Sequence, residues 1–156
     1  MPQEDPIKLW QHLHGASVHF ALALTLVSFA FDLGSKVFGK KEWRTVGFWA
    51  LVVAVTLSVP AILSGLWGQF GWFKADKWVT EPEAHLSLHR NVALGGSIIL
   101  LLLLIWRTFT SDFGIAHNRL ERKAGQSYVI YLIVAFFAAA AIGYTGWLGG
   151  YVARGY

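Results

Sequence analysis

The sequence predicts an all-α, integral membrane four-helix bundle with both termini on the same side of the bilayer. Three observations carry that fold class. Apolar letters make up 55% of the chain. Charged residues are 14%, against roughly 25% in an ordinary globular protein. The apolar residues also gather into four runs, each near the ~20 residues a helix needs to cross a bilayer. Backbone polar groups in lipid must be satisfied within their own segment, so the runs are helices. An even number of spans returns the chain to the side on which it began.

The first run, 16–38, contains ALALTLVSFAF. It is too long for the apolar core of a signal peptide, and no small-residue cleavage site precedes the next span. The second, 45–66, reads TVGFWALVVAVTLSVPAILSGL and carries Pro60, where a kink is expected. The third, 89–106, contains SIILLLLLIW, and the fourth, 128–150, reads YVIYLIVAFFAAAAIGYTGWLGG. Together they form one transmembrane domain over 1–156. The first connection is short and holds Gly39, Lys40, Lys41 and Glu42. The second, 67–88, is long and tryptophan-rich, and the third, 107–127, is expected to carry a short surface helix at 116–123.

Lysine and arginine near the helix ends set the orientation. One face holds Lys36, Lys40, Lys41, Arg44, Arg107, Arg119, Arg122 and Lys123, and the other Lys8, Lys74, Lys77, Arg90 and Arg154. Eight against five places both termini and the tryptophan-rich loop outside the cytoplasm. Trp10, Trp67, Trp72, Trp78 and Trp147 fall on that outer face, as interface anchors do. The net charge of +4 suits basic loops beside a lipid bilayer; no basic stripe suggests nucleic acid as a partner. The absence of cysteine excludes disulfides, thiolate metal sites, iron–sulfur clusters and covalently attached c-type haem. No G-x-S-x-G, Walker or dinucleotide fingerprint is present.

The histidines carry the chemistry. Of His12, His14, His19, His85, His89 and His117, the first five belong to the outer leaflet. His19 lies about one turn into the first span and His89 begins the third; His14 and His85 lie further out. At 100° per residue, His19 shares a face with Ala16, Ala23, Leu26 and Ala30, and His85 and His89 share one with Ala93 and Gly96. Small residues also line Ala54, Ser58, Ala61 and Gly65 in the second span, and Ala135, Ala139, Gly143, Gly146 and Gly150 in the fourth. On this reading His19 and His89 are the trans axial ligands of one haem b, since ligands on facing helices are how bundles build cofactor sites. The small residues beneath them leave room for the macrocycle. Arg90, Lys8, Trp67 or Trp72 would meet its propionates. His14 and His85 would then hold a second haem, hydrogen-bond the first, or form a quinone or metal site.

Blander readings stand beside this one. Small residues four apart are common wherever membrane helices pack closely. Against that, ionisable groups inside spans are rare and usually functional. Asp32, four residues before Lys36, reads as one half of a local ion pair. His117 reads as solvated. Glu81 and Glu83 near His85 allow a carboxylate–histidine metal site. The spacings His14-x₄-His19 and His85-x₃-His89 echo membrane di-metal oxygenases without the adjacent His-His pair.

The opening His14-Gly15-Ala16-Ser17-Val18-His19-Phe20 resembles that of a widespread bacterial family of four-span membrane proteins of unknown function. There it usually reads His-Pro-x-x-Val-His-Phe-Pro. Leu88-His89 and the ending Gly146-Trp147-Leu148-Gly149-Gly150 are similar too, so the likeness covers nearly the whole chain. This sequence departs in having Gly15 and Ala21 for the prolines, and Arg154-Gly155 for a His-Gly after the final glycine pair. The resemblance implies the topology, a multi-pass place in a bacterial inner membrane, and His14, His19 and His89 as ligand candidates. It implies no activity.

The expected function is a small b-type cytochrome, a non-catalytic subunit of a larger respiratory or photosynthetic electron-transfer complex. With its ligands on one leaflet, it would relay electrons between an extracytoplasmic donor such as a c-type cytochrome and a quinone or neighbouring subunit. The loop at 67–78 would be the docking surface. The alternatives are a cofactor-free structural subunit, a histidine-bound transition-metal protein, and a bacteriochlorophyll binder.

Overall fold

The computed structural model describes residues 6–70, 83–110 and 124–154, with side chains over 12–67, 85–109 and 128–150. The sequence-predicted surface helix at 116–123, His117, Glu81, Trp72, Trp78 and the side chains of Lys8, Trp10, Glu83 and Arg154 lie outside these residues. Four helices follow one another: α1 (Pro6–Phe38), α2 (Lys41–Phe70), α3 (Glu83–Thr110) and α4 (Ala124–Arg154). Each contains a stretch of 23 to 27 residues long and apolar enough to span a membrane. At 1.5 Å per residue, 27 residues cover about 40 Å, enough to reach the headgroups on both sides.

The α1–α2 hairpin closes in two residues. Gly39 takes φ 68°, the left-handed conformation that ends a helix cheaply only at glycine. The Trp43 amide then donates to the Lys40 carbonyl at 3.1 Å. Trp43 lies edge-on to Phe31 and Phe38, at 5.6 and 5.7 Å, with its ring over Gly34. The second helix continues through Pro60 as one element.

Among the described residues, α1 packs on α2 and α4, and α3 packs on α2 and α4, leaving α1 and α3 across a diagonal. The bundle therefore runs up, down, up, down around a square. Its starts of α1 and α3 share one end, called here the terminal end. The opposite, hairpin end holds the α1–α2 turn. An apolar cluster of Leu51, Leu100, Leu103, Tyr131, Leu132, Ala135 and Ala138 fills the middle. Ala54 and Ala138 are wholly buried, so backbones approach closely where small residues meet. Leu26, Val53, Ile98, Leu102, Phe136 and Phe137 face outward, as side chains solvated by lipid should.

The inward face of α1 is polar: Thr25, Ser28, Asp32 and Ser35 are all buried, with Ala21 on the same stripe. Asp32 does not pair locally with Lys36, as its spacing suggested. Lys36 is exposed, and the carboxylate is bound by Arg107 of α3. Membrane helices turn charge away from lipid, so the pair forms across the bundle rather than along the helix surface.

Candidate functional site at the terminal end

His14 lies seven residues before Ala21 and His89 seven before Gly96, so both fall on the buried stripes of their helices. Both imidazoles are half-buried. The diagonal helices α1 and α3 thus each send one histidine into the bundle at the same end. Each ring sits in a notch made by a glycine of the next helix in sequence. A Cβ on Gly65 of α2 would lie 3.1 Å from His14 Cε1, and one on Gly149 of α4 would lie 3.0 Å from His89 Cε1.

Hydrogen bonds fix how the rings are held. His89 Nδ1 lies 3.1 Å from the Thr145 carbonyl, which can only accept, so Nδ1 carries the proton. His14 Nδ1 lies 2.8 Å from Ser64 Oγ. That hydroxyl lies 2.6 Å from the Pro60 carbonyl and 3.0 Å from the Ala61 carbonyl, and its single proton is engaged there. Ser64 therefore accepts, and His14 Nδ1 donates. In a neutral imidazole with Nδ1 protonated, the lone pair is on Nε2. Both histidines present the same coordinating tautomer, each with its N–H anchored to a neighbouring helix.

The other candidates lie differently. His19 is exposed, and its Nδ1 donates to the Gly15 carbonyl of its own helix at 2.6 Å. Its stripe of Ala16, Ala23, Leu26 and Ala30 is likewise exposed. The structure brings His14, not His19, into the bundle opposite His89. His85 is half-buried one turn further out than His89. Arg90 is half-buried, with Nε 3.5 Å from Asn91 Oδ1. Trp67 is 61% exposed at the end of α2. Gly96 offers no open floor for a macrocycle, because Ile142 Cδ1 of α4 lies 2.8 Å from where its Cβ would be. Leu22 Cδ1 fills the notch of Gly146 in the same way, at 2.8 Å.

A second polar centre lies at the hairpin end, and its composition was not read from the sequence. Asp32 is fully buried and accepts from Arg107 and, at 2.8 Å, from the Tyr131 hydroxyl, both on Oδ2. Arg107 also donates to Tyr131 Oη at 3.0 Å and to the Arg44 carbonyl. The Tyr128 hydroxyl donates to the Asp32 carbonyl at 2.9 Å, and Arg44 stacks over the Tyr128 ring at 4.5 Å. Asp32 Oδ1 has no hydrogen-bond partner among the described residues and packs on Gly47. Ser28 Oγ donates to the Gly47 carbonyl at 2.8 Å. All four helices meet in this cluster. A signal was present: Thr25, Ser28, Asp32 and Ser35 recur at steps of three and four, which is one helical face.

No curated protein and no solved structure matches the chain. Residues 11–156 match a family of predicted membrane proteins, which covers the bundle, the terminal-end histidines and the buried pair alike. With that span of agreement and four membrane-crossing helices, the chain belongs to DUF2231, a family of predicted membrane proteins.

Proposed function

We propose that this membrane protein holds one haem b between His14 and His89 and passes single electrons at the terminal-end leaflet. The observation that carries the reading is the matched pair of imidazoles on diagonal helices, each with Nδ1 anchored to a neighbour and its lone pair on Nε2. Histidines that bind metals almost always donate the other ring N–H to such a partner. A donor set of two neutral imidazoles fits a haem iron, which His14 and His89 would hold. It fits a bare metal ion less well. Zinc takes three or four protein ligands, and no group of three His, Asp or Glu side chains comes together among the described residues. Held by two histidines, such a haem group would supply electron transfer rather than oxygen chemistry.

The chain's own part is to orient the rings, shield them from water and set their basicity. Arg90, one residue past His89 and half-buried, would supply positive charge for the propionates. An extracytoplasmic c-type cytochrome as donor and a quinone or neighbouring subunit as acceptor complete the relay. A reduced-minus-oxidised spectrum of protein expressed with ample haem, with haem counted per chain, tests the reading. A sharp low-spin b-type signal near one haem per chain supports it; a flat spectrum overturns it.

One observation favours a second reading, a cofactor-free bundle. Gly65, Gly96, Gly146 and Gly149 are each closely approached by a side chain of another helix, which is what plain packing requires. It predicts the flat spectrum, and normal assembly when both histidines are replaced.

A further inference from the structure

We infer that the hairpin end binds an anionic phospholipid, its phosphate held by Lys36, Lys40, Lys41 and Arg44 and its acyl chains lying on the apolar surface beneath them.

Between 36 and 44 the chain places four cations and one carboxylate, Glu42. The turn at Gly39 brings them to one level. Lys36 stands in the last turn of α1, Lys41 and Arg44 stand at the start of α2, and Lys40 lies between. The three lysines are exposed. Among the described residues no carboxylate forms an ion pair with any of the four cations. The nearby buried acid, Asp32, is bound by Arg107 and Tyr131 instead.

Arg44 differs from the lysines in being half-buried and fixed. Its guanidinium lies 4.5 Å from the centre of the Tyr128 ring, a cation–π contact that sets its position without using an N–H. The guanidinium donates no hydrogen bond among the described residues, so its planar fork is left for a ligand. Phosphate oxygens match that fork bidentately.

What lies beside the charges decides the source of the phosphate. Leu33, Val37, Phe38 and Val46, on the same two helix ends, are exposed large apolar side chains. Trp43, set edge-on to Phe31 and Phe38, keeps 36% of its surface exposed, as an indole at headgroup depth does. A free phosphate or an acidic peptide gains nothing from that surface. A phospholipid uses both parts, because its chains lie along the helices while its headgroup meets the cations. Each such cation beside an anionic headgroup raises affinity by about fivefold.

The test titrates the whole protein, in a neutral detergent, with dilauroylphosphatidylglycerol or with dilauroylphosphatidylcholine, which has the same chains. Native mass spectrometry counts the lipid bound. Wild type should prefer phosphatidylglycerol by about a hundredfold, and K36Q/K40Q/K41Q should lose most of that preference. R44K keeps the charge but not the fork and should bind phosphatidylglycerol about fivefold more weakly. K8Q/K74Q/K77Q removes as many charges elsewhere in the sequence and should keep the preference. Equal binding of the two lipids by wild type overturns the inference. So does a K36Q/K40Q/K41Q protein that keeps the preference, or a K8Q/K74Q/K77Q protein that loses it as fully. Displacement of phosphatidylglycerol by an equal concentration of inorganic phosphate overturns the lipid in favour of a free anion. An R44K protein that binds as wild type does overturns the part given to Arg44.

Discussion

Replacing Arg107 with alanine strands the Asp32 carboxylate inside the bundle. In the native protein Arg107 meets Asp32, the Tyr131 hydroxyl and the Arg44 carbonyl, and its side chain is only 6% exposed. Without it, Asp32 Oδ2 keeps the Tyr131 hydroxyl, and Oδ1 has no donor among the described residues. Breaking a buried pair in this way costs about 3–5 kcal/mol, and D32A should cost a similar amount by stranding the guanidinium. In D32A/R107A no charge is left alone, so the double variant should fall short of the sum of the singles by about 3 kcal/mol. K36A should lie within about 0.5 kcal/mol of wild type, since Lys36 is exposed. Unfolding of the detergent-solubilised protein by added SDS, followed by circular dichroism, gives all four values. An R107A protein within about 1 kcal/mol of wild type, or an additive double variant, would refute the account of the cluster.

The same geometry makes further predictions. Y131F removes a hydroxyl that donates to Asp32 and accepts from Arg107, and should cost about 1–3 kcal/mol in the same unfolding assay. G47A sets a methyl against the Asp32 carboxylate and 3.0 Å from the Ser28 carbonyl, so Tm should fall by the equivalent of about 1–3 kcal/mol. G143A meets nothing within 4 Å and should leave Tm unchanged or raise it, since alanine is the better helix former. G65A and G149A push the His14 and His89 rings and should each weaken hemin binding about tenfold. G150A, with nothing within 4 Å, should bind hemin as wild type does.

Length and hydropathy made the four spans legible, because lipid leaves the chain few ways to satisfy its backbone. The ends were less so: α1 and α3 begin at Pro6 and Glu83, well before the apolar runs, since polar residues continue a helix into the headgroups without any hydropathy signal. For α1 the small-residue stripe is a poor guide to helix phase, because it puts His19 inside, whereas that ring is exposed. In this bundle the inward face of α1 is marked by Thr25, Ser28, Asp32 and Ser35, and the small stripe of Ala16, Ala23 and Ala30 meets the outside. In lipid a methyl on the surface costs nothing, whereas a carboxylate there is expensive, so polarity fixes the phase more strongly than size. His89 lies on an inward stripe that Gly96, Leu100, Leu103 and Arg107 continue. The Asp32–Arg107 pair was illegible for another reason. It joins residues 75 apart on helices that meet only through side chains, and local spacing favoured Lys36 instead.

The most direct test of the proposed function is the haem content of H14A, H89A and H19A, each purified from cells supplied with haem and read by the reduced-minus-oxidised spectrum. H14A and H89A should each lose the low-spin signal, while H19A, whose exposed ring donates to its own helix, should keep it. Loss of the signal in H19A with retention in H14A would contradict the His14/His89 assignment, and an unchanged signal in all three would contradict histidine ligation altogether.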